Sequence, residues 1–245
     1  MPNIDFLCFS LDFTDILMNS QRYTYKDYKI EHTKMANITN KSRNAILIKN
    51  DLVYTRRFDL EDDITSTIWI ELVIPKQQNV LISSIYRQWA LPKALGIPKS
   101  NNMHNQGDRW NKVIKQWTKA HKEKKEIIVL TDDNIDHNNS TFNTNYKVNN
   151  IKDITLDFLT DNNYTTHNEH YTYYVKQQPI SCIDHIYSNC PHKITNVNTH
   201  NTGQSDHSIL TAIYHTKAPI APRRQYFSQK KAQTNKTRTQ HSHGK

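Results

Sequence analysis

No uninterrupted apolar run in this chain is longer than Ile127-Ile128-Val129-Leu130, which polar residues bracket: Glu126 before it, Thr131-Asp132-Asp133-Asn134 after it. A run so short and so apolar reads as a strand buried on both faces, the kind found in a sheet covered by helices. It is far below the ~20 apolar residues that a membrane-spanning helix needs. The flanking segments agree with a layered fold. Ile68, Ile70, Leu72 and Ile74 alternate with Thr67, Trp69, Glu71 and Val73, the period of two expected of a strand, and Val80 to Trp89 follows as its partner. Glu71, between Ile70 and Leu72, is expected to face solvent. Ile4 to Ser10 reads as another buried strand, and Asn44–Lys49 with Val53–Phe58 as a hairpin across Asn50-Asp51. Trp110, Val113, Ile114 and Trp117 fall at i, i+3, i+4 and i+7, which predicts a helix over 107–122 whose tryptophans pack into a core rather than stack on bases. A second helix is expected near 151–161, and strands near 171–175, 181–187 and 207–215. Strands separated by helices describe an α/β layered domain over 1–216. Residues 217–245, with prolines and scattered cations and no periodicity, read as a basic tail or linker.

Composition narrows the functional classes. The 245 residues carry 32 Lys and Arg against 23 Asp and Glu, a net charge of +9, which suits a polyanionic partner such as nucleic acid. Three cysteines (Cys8, Cys182, Cys190) are too few for a disulfide framework and fit a reducing compartment. The first residues have no basic stretch ahead of an apolar core, so nothing there reads as a secretory signal. With only 4 glycines, the chain must use Asn at turn positions that demand unusual backbone angles.

Four polar clusters sit where predicted strands end: Tyr86-Arg87, Asp132-Asp133-Asn134, Ser181-Cys182-Ile183-Asp184-His185 and Ser205-Asp206-His207. An Asp-x-Asn at a strand end sets a carboxylate and an amide on one side, a pair able to hold and orient a water. Asp132 would accept the proton of that water, and His207, kept cationic by Asp184, would stabilise a pentavalent phosphate. Carboxylates of this kind also suit Mg²⁺. Each cluster alone is weak evidence, since Asp-x-Asn is usually a turn and Asp-His usually a surface pair; the order and placement of all four carry the signal.

In these motifs the chain resembles the endonuclease/exonuclease/phosphatase superfamily. Leu130-Thr131-Asp132-Asp133-Asn134, Ser181-Cys182-Ile183-Asp184-His185-Ile186 and Ser205-Asp206-His207-Ser208 are similar to its Gly-Asp-x-Asn, Ser-x-Ile-Asp-His-Ile and Ser-Asp-His motifs, with Thr131 in place of the Gly. Ser84-Ile85-Tyr86-Arg87-Gln88-Trp89, and Gln106, Arg109 and Trp110 ahead of Trp117, resemble the endonuclease domains of non-LTR retrotransposons. The resemblance implies a four-layer α/β sandwich, two packed mixed sheets flanked by helices, and a Mg²⁺- or Mn²⁺-dependent endonuclease that nicks DNA to leave a 3′-hydroxyl. It implies that Asp132 and Asn134 orient the attacking water, that Tyr86 contacts the scissile phosphate, and that Asp184 pairs with His207. Arg87 and Thr172 would join Tyr86 and Asn134 on the substrate side, and Asp206 would lie beside the metal. The implied setting is intracellular and nuclear, with DNA as partner and a reverse transcriptase domain in a longer polyprotein.

The chain departs from that pattern at its start. The family's first strand has no counterpart, so the resemblance implies an N-terminally truncated domain. Where the second strand should end in a metal-binding Glu stands Leu11; Asp12, the available substitute, is one residue out of register and on a strand would face the opposite way. Two rivals follow: a catalytically inactive remnant that still binds nucleic acid, and a phosphatase or phosphodiesterase of the same superfamily. The basic charge and the Tyr-Arg context argue against the second. His167-x-x-His170 and Cys182 with Cys190 and His192 lack the paired spacing of a structural zinc site.

Overall fold

A computed structural model describes residues 6–10, 26–33, 44–87, 99–137 and 146–217. The strands are β1 (Phe6–Ser10), β2 (Tyr28–His32), β3 (Asn44–Lys49), β4 (Tyr54–Arg56), β5 (Ser66–Leu72), β6 (Val80–Tyr86) and β7 (Glu126–Asp132). They continue as β8 (Thr165–Thr166), β9 (Tyr173–Val175), β10 (Gln178–Ser181), β11 (Asp184–Ser188), β12 (Ile194–His200) and β13 (Ile209–Tyr214). Two long helices, α1 (Lys99–His121) and α2 (Tyr146–Asp161), flank β7 in sequence. Leu11, Asp12, Trp89 and the tail beyond 217 lie outside the described residues.

The central sheet has six strands in the order β4-β5-β6-β7-β11-β8. Within it β6 and β7 run parallel, and the other pairs are antiparallel. Alternation along each strand separates its two faces. Trp69, Leu81, Ile85, Ile127, Val129 and Tyr187 point to the helices, where they meet Trp110, Val113, Trp117 and Phe158. Ile68, Ile70, Leu72, Ile82, Ile128 and Ile186 point the other way, onto Ile46 and Ile48 of the antiparallel sheet β1-β3-β2. Mixed sheets and helices give the α/β class expected from the sequence; the described helices pack on one face of the central sheet. Trp110 and Trp117 are buried, as their helical spacing predicts, and the Trp110 indole N–H donates to Thr155 Oγ1 at 2.8 Å, pinning α1 to α2.

Two local expectations fail and one strand was not anticipated, each for a physical reason. Asn44–Lys49 and Val53–Phe58 do not form a hairpin. β3 lies between β1 and β2, while β4 pairs with β5 in the other sheet, so Asn50-Asp51 turns the chain from one sheet to the next. A strand as apolar as β3, buried through Ile46 and Ile48, needs neighbours on both edges, and a three-residue strand cannot supply one. Glu71 does not face open solvent: its carboxylate accepts from Arg57 at 2.8 Å and from Lys125 at 2.7 Å, and only 15% of its side chain is exposed. β12 was invisible in the sequence because a register shift between Thr195 and Asn198, with Asn196 at φ 51°, breaks the alternation. At Asn196 an Asn takes the left-handed geometry that Gly usually provides.

Candidate active site

The clusters predicted at strand ends converge at one edge of the central sheet. Tyr86 closes β6, Asp132 closes β7, and Asp184 opens β11. The parallel register pairs Tyr86 with Asp132, and the antiparallel register pairs Asp184 with Asp132. Residues paired across strands project to the same face, so three groups far apart in sequence stand level on one rung. His207 arrives on the loop before β13. An isolated bridge from Tyr173 to His207, together with Tyr174 N–H donating to the Asp206 carbonyl at 2.7 Å and Ser208 N–H to the Thr172 carbonyl at 2.7 Å, stitches that loop to β9. Ser205 Oγ accepts the His207 N–H at 3.1 Å, a turn contact rather than a reactive hydroxyl.

His207 Nδ1 lies 2.9 Å from Asp184 Oδ2. Burial alone would push the imidazole down, but the hydrogen bond and charge of Asp184, with the charges of Asp132 and Asp206, lift it to about 9. At neutral pH the ring is therefore a cation held beside Asp132. Asp132, Asp184 and His207 offer ligand atoms within 4.8 Å of one another. Two of these three are carboxylates, hard oxygen donors of the kind Mg²⁺ and Mn²⁺ take, so Asp132 and Asp184 suit such an ion while the protonated His207 stands beside it rather than binding it. Asp206 is exposed on the lip beside His207 and stands outside that trio.

The supporting groups are buried. Arg87, 6% exposed, turns inward: its Nε–H donates to the Asp133 carbonyl and its Nη2 to the Asn134 carbonyl at 2.8 Å. Its backbone N–H donates to the Asp132 carbonyl at 2.8 Å, and its own carbonyl accepts from Asn134 Nδ2 at 2.9 Å. Arg87 thus clamps the turn that carries Asp132 and holds Asn134 in its left-handed conformation, φ 53°. Thr172 has no exposed surface; its Oγ1 accepts the N–H groups of Ile183 and Asp184, each at 3.0 Å. Of the four side chains expected on the substrate side, Arg87 and Thr172 hold the loops that bear Asp132 and Asp184. From Tyr86 a shallow cleft continues past Ser66, Gln106 and Arg109.

A second polar group lies beneath the Asp132–Asn134 turn, on the helix-facing side of the sheet. Asp133 accepts from the Tyr187 hydroxyl at 2.7 Å and from Ile135 N–H at 2.9 Å, and His137 and His185 stack at 4.2 Å. Burial raises Asp133 to about 6 and lowers His137 to about 4. In the sequence Asp133 belongs to the Asp132-Asp133-Asn134 cluster with no role of its own, because a second Asp in such a turn ordinarily faces water. The one signal in the sequence was that Tyr187 falls within a strand assigned to the core and Asp133 directly follows another.

Comparison with known proteins separates fold from sequence. No protein-family profile matches the chain, and no curated protein matches it. Solved structures do. An AP endonuclease from Leishmania major superposes with a TM-score of 0.63 at 10% identity, over 86% of this chain and 78% of its own. The catalytic domain of Xenopus laevis APE2 gives 0.57 at 12% identity, over 88% and 86%. The endonuclease domain of TRAS1, a telomere-specific non-LTR retrotransposon, gives 0.54 at 12%, over 76% and 80%. At these identities the likeness is one of fold alone: the chain shares the α/β fold of these three structures.

Proposed function

We propose that this chain is a metal-dependent DNA endonuclease that nicks one strand by hydrolysis, of the type that opens target sites for a non-LTR retrotransposon. The observation that carries the reading is the Asp132, Asp184 and His207 group at a shared strand edge, with Tyr86 level with it. Asp132 accepts a proton from a water that Asn134 orients. As the water oxygen bonds to phosphorus, the bond from phosphorus to the 3′ oxygen breaks and that oxygen takes a proton from solvent, leaving a 3′-hydroxyl and a 5′-phosphate. The His207 cation stabilises the charge that gathers on the phosphate oxygens, and Asp184 fixes its ring orientation and favours its protonated form. Tyr86, half-buried at the rim of the cleft, donates its hydroxyl to the same phosphate. Asp132 and Asp184, with Asp206 at the lip, would hold Mg²⁺ or Mn²⁺, which when bound neutralises phosphate charge and lowers the cost of displacing the leaving oxygen. The net charge of +9 favours the DNA backbone as partner.

A second reading rests on Leu11, an apolar residue where the family pattern sets a metal-binding Glu. On that reading the domain binds nucleic acid without cutting it. Nicking of supercoiled plasmid by the purified chain distinguishes the two, run with Mg²⁺, with EDTA, and with Asp132→Ala and His207→Ala. Mg²⁺-dependent nicking lost in both variants supports the endonuclease. Retained DNA binding with no nicking by any form supports the binding remnant and sinks the first reading.

A further inference from the structure

Among the described arginines, Arg109 alone has neither a carboxylate within ion-pair distance nor a second carbonyl to bind. Arg56 pairs with Glu31 and Glu61, Arg57 with Asp59, Glu71 and Glu123, and Arg87 clamps the Asp133 and Asn134 carbonyls. Arg109, half-buried on α1, donates from Nη2 to one neutral acceptor, the Ile64 carbonyl, at 2.9 Å. Asp62 acts on it through charge alone, and burial outweighs that charge, pushing the guanidinium below its ordinary value. The Asp62 carboxylate is committed elsewhere: it accepts from the N–H groups of Ile64 and Thr65, the Thr65 hydroxyl and the Gln116 amide. A cation drawn out of water without a paired anion is costly, and most of the five N–H donors in this planar fork are unspent.

The fork lines the cleft that opens at Tyr86, between α1 and the segment leading into β5. The β5–β6 register pairs Ser66 with Tyr86, so Ser66, Tyr86, Asp132 and Asp184 form one row across four strands. Neighbouring strands stand about 4.8 Å apart, which sets Ser66 roughly 10 Å along that row from Asp132. That is the reach of a neighbouring nucleotide, not of the reacting phosphate. Gln106 lies one helical turn before Arg109 on the same face and lines the cleft with it, and Ile64, 44% exposed, supplies an apolar wall. Among the described residues no acidic side chain lines this cleft. Its cation, amide and apolar wall are the groups that suit the phosphate, base edge and sugar of one nucleotide.

We propose that Arg109 binds the backbone phosphate of a nucleotide flanking the cut, which makes this cleft a second point of contact for the DNA strand. The proposal rests on the reading of DNA as the substrate, and not on whether the chain cuts it. The donors of Arg109 that Ile64 leaves unused match two oxygens of one phosphodiester. A strand anchored there lies with its next phosphates toward Tyr86 and Asp132. The contact is made equally before and during reaction, so its loss raises KM more than it lowers the turnover number.

The test measures binding of a short DNA duplex in EDTA, over a series of salt concentrations. Arg109→Gln keeps an amide donor for the Ile64 carbonyl and removes the charge, whereas Lys115→Gln removes one charge from the exposed side of α1. We expect Arg109→Gln to weaken binding about tenfold. It should also lower the slope of log affinity against log salt by about 0.9, the share of one phosphate. Lys115→Gln should leave the slope unchanged; Arg109→Lys, with the charge but not the fork, should keep the slope and lose affinity. In the wild-type chain the Arg109 Nε–H resonance should move when duplex is added, a readout that needs no variant to fold. An unchanged slope in Arg109→Gln, an equal drop in Lys115→Gln, or an unmoved Arg109 resonance would each overturn the subsite. Absence of plasmid nicking with Mg²⁺, beside the expected slopes, would overturn the endonuclease reading and leave the subsite standing.

Discussion

The imidazole of His207 and the carboxylate of Asp184 meet at 2.9 Å, although one residue lies on the loop before β13 and the other at the start of β11. The pair sets the protonation of the site. His207 has its folded-state value raised to about 9 from an ordinary value near 6.5. A raised value means that the folded state binds the proton more tightly than the unfolded chain. The resulting stabilisation is fully present below pH about 6.5 and is lost as pH rises through about 9. In chelator, unfolding curves from pH 6 to 10 (roughly the span of that titration) should show stability falling on the alkaline side. Asp184→Asn should flatten that fall and bring the His207 midpoint down in a histidine NMR titration; an unchanged midpoint would refute the pairing.

Arg87 makes a prediction about geometry rather than charge. A lysine at this position carries the same charge but cannot reach the Asp133 and Asn134 carbonyls together. Arg87→Lys should therefore destabilise the fold by about 1–3 kcal/mol, the cost of leaving buried polar groups unpaired. It should also lower the turnover number more than it raises KM, since the turn it clamps carries Asp132 and Asn134. Denaturant unfolding and steady-state nicking measure the two effects, and an Arg87→Lys chain that nicks with an unchanged turnover number would deny the clamp.

Thr172→Val keeps the shape of the side chain and removes the oxygen that accepts the Ile183 and Asp184 N–H groups. Two buried donors would lose their acceptor, and we expect a loss of about 1–3 kcal/mol in a thermal or denaturant melt. A loss of DNA affinity with unchanged stability would instead assign Thr172 to the substrate.

Asn134 carries a backbone demand and a chemical one, and two substitutions separate them. Asn134→Ala meets the left-handed backbone, φ 53°, with a side chain that resists it, at a cost of about 1–2 kcal/mol. Asn134→Gly accepts that backbone freely. Both remove the amide, so nicking should fall by about 10²-fold or more in both, while the melting temperature falls further in Ala than in Gly. Activity in the glycine variant close to wild type would remove Asn134 from the chemistry.

Much of this could be read from the sequence because much of it is local. The i, i+3, i+7 placement of Trp110, Val113 and Trp117 requires a buried helix face, and the alternation through Ile68, Ile70 and Leu72 requires a sheet face. The clusters holding Asp132, Asp184 and His207 stood out because each borders an apolar segment, and the structure brings these three together. What escaped is non-local. The partner of β3 could not be inferred from the turn at Asn50-Asp51, because either sheet would satisfy the same local preferences. Glu71 looked solvent-facing because its cations, Arg57 and Lys125, come from other parts of the chain. The inward turn of Arg87 depends on carbonyls 46 and 47 residues away, a relationship that no local pattern encodes.

The shared rung of Tyr86, Asp132 and Asp184 has a consequence for how the protein would acquire the proposed activity. None of the three can occupy its place until β6, β7 and β11 have docked side by side, and the β6–β7 pairing is parallel, closed only after the whole intervening helical segment is in position. Such pairings carry a large loop-closure cost and form late in folding. Recovery of activity during refolding should therefore trail the return of helical signal from α1 and α2. A chain that has regained its helices but not this strand register will be compact, helical and catalytically silent.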